Sequence, residues 1–436
     1  MTAEIVLSAA WHSGAVPSDL TTVDGQSLEV IHRGAWSHGL GPNFRDTLIL
    51  FDGRELRAGC VEVHLQTRGW KDHGHHLDPA YDAVVLHVVG QHDGAETRRH
   101  DGALVPVVDI GPLAPFATPT FAAWDWDRVG GHSCAEHLAR TTPRVVRETL
   151  ARMGDVRLAT RSARIEARLA TQAPGEILWC ELLDGLGFAA NREPMRRLAH
   201  SVPLAAIEDL LFATPRYARI DVARGVLLGA AGFLPLSPID GHSGQLTPDA
   251  VAALEAAWHK SGHPWRTDTI APSAWRRARV RPANHPVPRL LAAASILNAT
   301  SREAGLLATI LGTLRDANGP VASLQTLSAS QGIPGIGIDR ALDIIASSVI
   351  PFALALADHT GDAGLADATS AQWERLPAPA MNAITRRAAR QVAGAAPLGK
   401  IGARGAQGLL HLDTTLCQPR RCFECPVAAA ALAVND

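Results

Sequence analysis

The chain has 436 residues, 47% hydrophobic and 19% charged, enough for two or three ordinary domains and normal for a globular protein. A formal net charge of −2 excludes a polyelectrolyte or a basic nucleic-acid coat. Lys occurs only at Lys71, Lys260 and Lys400, so Arg carries nearly all positive charge; this suits bidentate phosphate contacts and is equally the mark of a GC-rich genome.

Residues 3–13, EIVLSAAWHSG with its flanks, read as a short helix that Gly14 stops. This start carries Glu4 and lacks a basic segment and a cleavage site, so no signal peptide is expected. No run approaches the roughly 18 uninterrupted apolar residues of a membrane span, so no transmembrane helix and no membrane partner are expected. Six Cys without secretion signals point to a cytoplasmic protein rather than a disulfide framework. From Leu20 to Pro112 the strand signals are SLEVIHRG, DTLILF, ELRAGCVEVHLQ, DAVVLHVVG and LVPVVDIG. Asp-Gly pairs at 24–25, 52–53 and 101–102 punctuate them, and Asp52-Gly53 is a good hairpin turn. The pattern predicts an α/β sandwich over residues 1–125.

Polar residues concentrate between Gly41 and Val89. Glu62 and His64 alternate on one strand and so share a face. Asn43 and Asp46 stand at the start of the preceding strand. A helix-prone turn, WKDHGHHLDPAY, adds His73, His75, His76 and Asp78, and His87 follows on the next strand. This is the pattern of a hydrolytic metal site, and it resembles the core of a PD-(D/E)xK nuclease. In such a core carboxylates hold one or two Mg²⁺ or Mn²⁺ ions, and a residue two places after the Glu activates water. Here the slots read Glu62-Val63-His64 and Pro42-Asn43. His can replace Lys as donor or base, since its pKa lies near neutrality. Asn binds a hard cation more weakly than Asp, so either Asp46 takes that role or the site is impaired. The catalytic set on this reading is Glu62 as ligand, His64 as base or donor, Asp46 or Asn43 as second ligand, with His73 and His87 nearby. The plain alternative is that Glu62 and His64 form a satisfied polar pair on a half-buried strand.

After a Pro/Trp-rich joint, APFATPTFAAWDWDRVGG, helical periodicity takes over, predicting an α-helical domain over 126–436. Helices are expected at 142–172, 175–187, 193–200, 203–212, 219–231, 247–259, 287–297, 301–315, 338–357 and 379–394, with a hinge near 234–246. The fold class is thus α+β: a restriction-endonuclease-like sandwich followed by a large all-α domain. In WRRARVRPANHPVPRLLAAA, Arg276, Arg277, Arg279, Arg281 and Arg289 surround Trp275. This is either a clamp for a nucleic-acid backbone or a solvated helix start. GIPGIGIDRALDII at 332–345 looks like the helix-hairpin-helix of DNA glycosylases. Asp339 stands where a bifunctional glycosylase carries Lys, and a Gly-rich connector before a helix is the plainer reading.

Near the C-terminus, Cys417, Cys422 and Cys425 form C-x4-C-x2-C before Pro426. Three thiols in nine residues suit chelation better than packing, with Cys134 as the best fourth ligand for zinc or a [4Fe–4S] cluster. Cys60 and Cys180 read as small buried hydrophobes.

The segments GPNF, GCVEVHL, GWKDHGHHLDPAYDAVVLHVV, HSCAEHL, LLGAAGFLP, RPANHPVPRL, DIIASSVIPFAL and GLLHLDTTLCQPRRCFEC together resemble a bacterial family known only as a domain of unknown function, numbered 2851. Its pattern carries Asp at the position of Asn43. It also includes the Cys of HSC, which supports joining Cys134 to the C-terminal three. The family name implies no function. Three readings follow from the residues: a metal-dependent nuclease-like phosphodiester hydrolase, a non-catalytic nucleic-acid-binding or scaffold protein with a structural four-thiolate metal site, and a glycosylase-like DNA repair protein. The cysteine reading predicts zinc, or a brown chromophore, in protein purified without oxygen. Cys422→Ser should then lower the melting temperature well beyond Cys60→Ser; equal shifts would remove the site.

Overall fold

Asp52 and Gly53 both take left-handed backbone, with φ of 47° and 63°, in a three-residue connection with Arg54, whose N donates to Phe51 O at 2.9 Å. They join β4 (Phe44–Phe51) to β5 (Glu55–Gln66) antiparallel, with Phe51 opposite Glu55 and Thr47 opposite Gly59. In this computed structural model the described residues are 4–37, 41–111, 134, 142–188, 190–277, 284–301, 304–316, 318–330, 332–394, 396–418, 421 and 425–428. The chain forms two compact units. One comprises Met1–Thr149, Ala383–Leu398 and Leu410–Asp436, the other Leu150–Asn382 and Gly399–Leu409.

The first unit is built on a mixed seven-stranded sheet. Its other strands are β1 (Asp19–Thr21), β2 (Ser27–His32), β3 (Ala35–Trp36), β6 (Val84–Gln91) and β7 (Val107–Asp109). The order is β1-β2-β4-β5-β6-β7, with β3 also on β4; pairing is antiparallel up to β5 and parallel from β5 to β7. Val23 N, just past β1, donates to Val107 O of β7 at 2.8 Å, so the sheet is nearly closed. Strand alternation separates two faces. Val61, Val63, Leu86 and Val88 pack with Leu7 and Trp11 of helix α1 (Glu4–Ser13) in the main core of this unit. The opposite face of β5 carries Cys60, Glu62 and His64, beside a small cluster of Trp70, Tyr81, Val84 and Val105. Glu62 lies level with His87 on parallel β6.

The helices expected from periodicity are present. Those of the second unit include Pro174–Gly187, Arg192–Ser201, Leu204–Ala213, Arg219–Ala230, Pro248–Ser261, Pro286–Thr300 and Gly305–Thr313. The whole is α+β, a sheet region followed by a large helical region. Gly319–Ser328, Ala363–Arg375 and Gly402–His411 are helices that periodicity does not single out. Two of them begin with Gly, a poor helix former. Ile338–Thr360 is long and apolar enough to cross a membrane by length and composition, and most of it is buried within its unit.

Small residues let two helices of this unit meet backbone to backbone. A Cβ on Gly408 would lie 2.0 Å from Leu150 O, and one on Gly154 2.0 Å from Arg404 O. Asp155 on helix Pro143–Leu169 accepts from Arg404 Nε at 3.0 Å, and Arg157 on the same helix donates to Gln407 Oε1 at 2.8 Å. Ala is the better helix former by about 1 kcal/mol, yet Gly408→Ala is expected to destabilise by about 1–3 kcal/mol through overpacking. Gly312, where a Cβ would meet only open space, is the control: Gly312→Ala should stabilise by about 0.5–1 kcal/mol. Thermal melts that move both variants in the same direction would contradict this packing.

Candidate metal centre

The strand β5 ends in a turn that folds back over its polar face. Helix α2 (Gly69–Asp72) follows, then Gly74 at φ 77° and a 3-10 turn at His75–Leu77. A Cβ on Gly69 would sit 2.8 Å from His64 Cδ2, so the turn closes directly over the His64 ring and only Gly fits there. Gly74 in the left-handed region reverses the chain, and His73 and His75 both come back over the strand. Trp70 anchors the turn from beneath, its Nε1 donating to Arg98 O at 2.9 Å. Tyr81 stacks on His75, with ring centroids 3.8 Å apart and an interplanar angle of 23°.

Three imidazoles converge. The ring nitrogens that His64, His73 and His75 offer all lie within 4.8 Å of one another. His64 Nε2 is 3.1 Å from His73 Nδ1. Glu62 adjoins the group, with Oε1 3.4 Å from His75 Nε2 and 3.8 Å from His64 Nε2. His75 Nε2 is buried and makes no hydrogen bond of good geometry. Behind the group, His64 Nδ1 meets His87 Nε2 at 2.9 Å, and His87 Nδ1 meets Thr97 Oγ1 at 2.7 Å. Placing the His64 proton on Nδ1 lets it donate to His87, which donates to Thr97 in turn. That tautomer leaves the Nε2 lone pair of His64 facing His73 and His75, the arrangement that partners behind a ligating imidazole impose.

Burial sets the charge states. Glu62 is 5% exposed and His64 1%. Burial, then the neighbouring histidines, push His64 down to about 2, and burial holds His87 down to about 3, so both rings are neutral. A neutral ring is the form that ligates. Burial pushes the Glu62 carboxyl up, against the lowering effects of His75 and the Asn43 amide. Tyr81 is pushed up to about 12, chiefly by burial, and stays a neutral phenol. His73 is exposed and opens the group to solvent.

The residues singled out from the sequence fall in distinct places. Glu62, His64, His73 and His87 come together. Asn43 reaches Glu62 but as a support: its backbone N donates to Glu62 Oε2 at 2.7 Å, and its Oδ1 accepts from Val63 N at 2.7 Å. Asp46 stands at a β-bulge with φ 59°, exposed, and is not in the converging group. His75 is visible in the sequence as one of several histidines in the turn, without an assigned role. The spacing His73-Gly74-His75 is the available signal; the supports Thr97, Trp70 and Tyr81 leave none. Three imidazoles and a carboxylate suit zinc or another transition ion better than Mg²⁺, which prefers oxygen ligands.

Cys134, Cys417 and Cys425 lie in the same unit, and Cys422 lies outside the described residues. Gln391 Nε2 donates to Cys134 Sγ at 3.9 Å. In the helical unit Trp275 is 4% exposed and donates to Ala231 O, so it is a core residue rather than a stacking platform. Arg276 and Arg277 are exposed; the Asn191 amide clasps the Arg276 backbone, and Arg277 lies 3.3 Å from Asp240 Oδ2. Arg279 and Arg281 lie outside the described residues.

Added Co²⁺ should give the visible absorption of a low-symmetry site, displaced by zinc, and His75→Gln should abolish it. Thr97→Val keeps the shape but removes the last acceptor behind His64, and should weaken binding by about 10–100-fold. Wild-type affinity in both variants would remove these imidazoles from any ion's reach.

The profile of the family described as "Protein of unknown function (DUF2851)" matches residues 4–316. That span contains the whole imidazole group; the resembling segments beyond residue 316 lie outside it. No curated protein and no solved structure matches the chain.

Proposed function

The chain belongs to this family of unknown function, and from its site we propose that it is a transition-metal-dependent hydrolase acting on phosphodiesters. The observation that carries the reading is the convergence of the His64, His73 and His75 nitrogens beside Glu62. A divalent ion held there would act as a Lewis acid and lower the pKa of water, to about 7 in well-studied zinc sites. Glu62 serves as general base. It adjoins two of the imidazoles, Asn43 N fixes one of its oxygens, and burial moves its pKa upward, the direction that base catalysis near neutrality calls for. His87 and Thr97 hold the His64 tautomer. Exposed His73 marks the open side from which substrate reaches the group. The choice of a phosphodiester, and of nucleic acid as partner, rests on the likeness of Glu62-Val63-His64 and the adjacent Asn43 segment to a nuclease core. The free thiols of Cys60, Cys134 and Cys180 support a reducing, cytoplasmic setting, and Cys134 with Cys417, Cys422 and Cys425 is the set proposed for zinc or an iron–sulfur cluster.

Protein loaded with Zn²⁺, Mn²⁺ or Co²⁺ should hydrolyse bis(p-nitrophenyl) phosphate and cleave DNA or RNA. Glu62→Gln should cut kcat by about 10²–10⁴-fold, the usual contribution of a general base, while the Co²⁺ spectrum persists. Equal turnover by wild type and Glu62→Gln would overturn the assignment. A metal-dependent gain in melting temperature with no turnover on any phosphodiester would instead identify a structural centre, which the burial of Glu62, His64 and His75 favours.

A further inference from the structure

Among the described residues of the helical unit, Arg289 is a buried cation that no carboxylate meets. Arg289, in helix Pro286–Thr300, is 7% exposed. One terminal nitrogen donates to Asn284 Oδ1 at 3.0 Å, and its Nε has no hydrogen-bond partner. Among the described residues no carboxylate pairs with it. Neighbouring Arg340 is accommodated differently: it lies 3.3 Å from Asp343 Oδ2 and its guanidinium stands 4.0 Å from the Phe188 ring centroid. Burial and the charge of Arg340 hold Arg289 down to about 10. A buried unpaired charge is costly, and an anion would relieve that cost.

Arg289 lines a cavity of about 310 Å³ whose described walls carry no acid. Across it runs the loop Ile333–Gly337. Helix Gly319–Ser328, a tight bridge between Ser330 and Ile333, this loop and the long helix Ile338–Thr360 follow in order. The segment is a short Gly-rich connector between two helices, held by one isolated bridge. The loop is pinned. Ile336 N donates to Ser328 Oγ at 3.0 Å, and a Cβ on Gly335 would lie 2.5 Å from Gln325 O. Gly337 precedes the long helix, no side chain caps that helix end, and a Cβ on Gly337 would meet nothing within 4 Å. Arg340 N already donates to Gly337 O at 3.0 Å, which leaves the Ile338 and Asp339 amides of this helix start to favour negative charge.

We propose that this cavity binds a phosphate group, with the Arg289 guanidinium on one side and the amides that follow Gly337 on the other. A guanidinium fork and two adjacent amides both match the tetrahedral oxygens of phosphate. The cavity lies within the helical unit, and the inference is independent of the imidazole group.

The test is the melting temperature of the full chain against inorganic phosphate at constant ionic strength. Wild type should gain several degrees at saturation, with the midpoint at millimolar phosphate or below. Arg289→Met removes the charge and should lose the gain. Gly337→Asp is the variant that separates binding from folding. A carboxylate at this N-cap should hold or raise the melting temperature without phosphate, and it should abolish the phosphate response by repulsion. A 20-base-pair DNA duplex that reproduces the shift at micromolar concentration traces the phosphate to a nucleic-acid backbone; a shift with phosphate or a mononucleotide alone traces it to a small ligand. An equal shift with acetate or chloride, no shift with any of these probes, or a full response in Gly337→Asp would overturn the proposal.

Discussion

A carboxylate and an imidazole on the buried face of a strand set the terms for the first unit. Glu62 and His64 are almost fully enclosed, and isolated polar groups in that position would cost several kcal/mol. Each is therefore met: Glu62 by the Asn43 amide and His75, His64 by His87 and His73. The turn that supplies two of these rings can lie this close only because residue 69 has no side chain. A slip of one residue in β5 would send Glu62 and His64 into the apolar core and bring Val61 and Val63 to the site. The three-residue turn at 52–54 fixes that register.

Buried charge in the helical unit is handled by other means. Asp184 takes Arg192 and Arg196, and Glu181 takes Arg161 and Arg168. Among the described residues Arg157 has a neutral partner in Gln407, and burial holds it down to about 10. Arg289 has an amide oxygen and an empty side. Structural pairing explains the acids; it does not explain why a cation is kept beside a cavity.

The strands and most helices are legible in the sequence because alternation and three-to-four spacing report directly on which face is buried. Glu62 and His64 are legible for the same reason. The role of His75 is not, because it depends on the left-handed Gly74 and on stacking against Tyr81, neither of which is a periodic signal. Asn43 reads as a weakened ligand, while its amide oxygen is spent on Val63 N. Asp46 reads as the substitute, while a bulge turns it to solvent. Trp275 sits among arginines in sequence, which says nothing about the core on which its ring packs. The π-helical turns at Ile345–Val349 and Leu412–Cys417 each add a residue to a turn and leave the apolar pattern unbroken, so they too are invisible in the sequence.

The two units also differ in how far along the chain their defining contacts reach. Among the described residues, the supports named above for the imidazole group fall between Asn43 and Arg98, on neighbouring strands and the turns that join them. The helical unit is fastened by Arg404 on Asp155, 249 residues apart, and by Arg157 on Gln407, 250 apart. Closing a loop of that length rather than one of about ten residues costs about 3 kcal/mol more chain entropy. The histidine group therefore draws on short-range closure, whereas the strap at Gly402–His411 draws on nearly the whole intervening chain. Loop entropy alone favours assembly of the imidazoles before that strap is fastened.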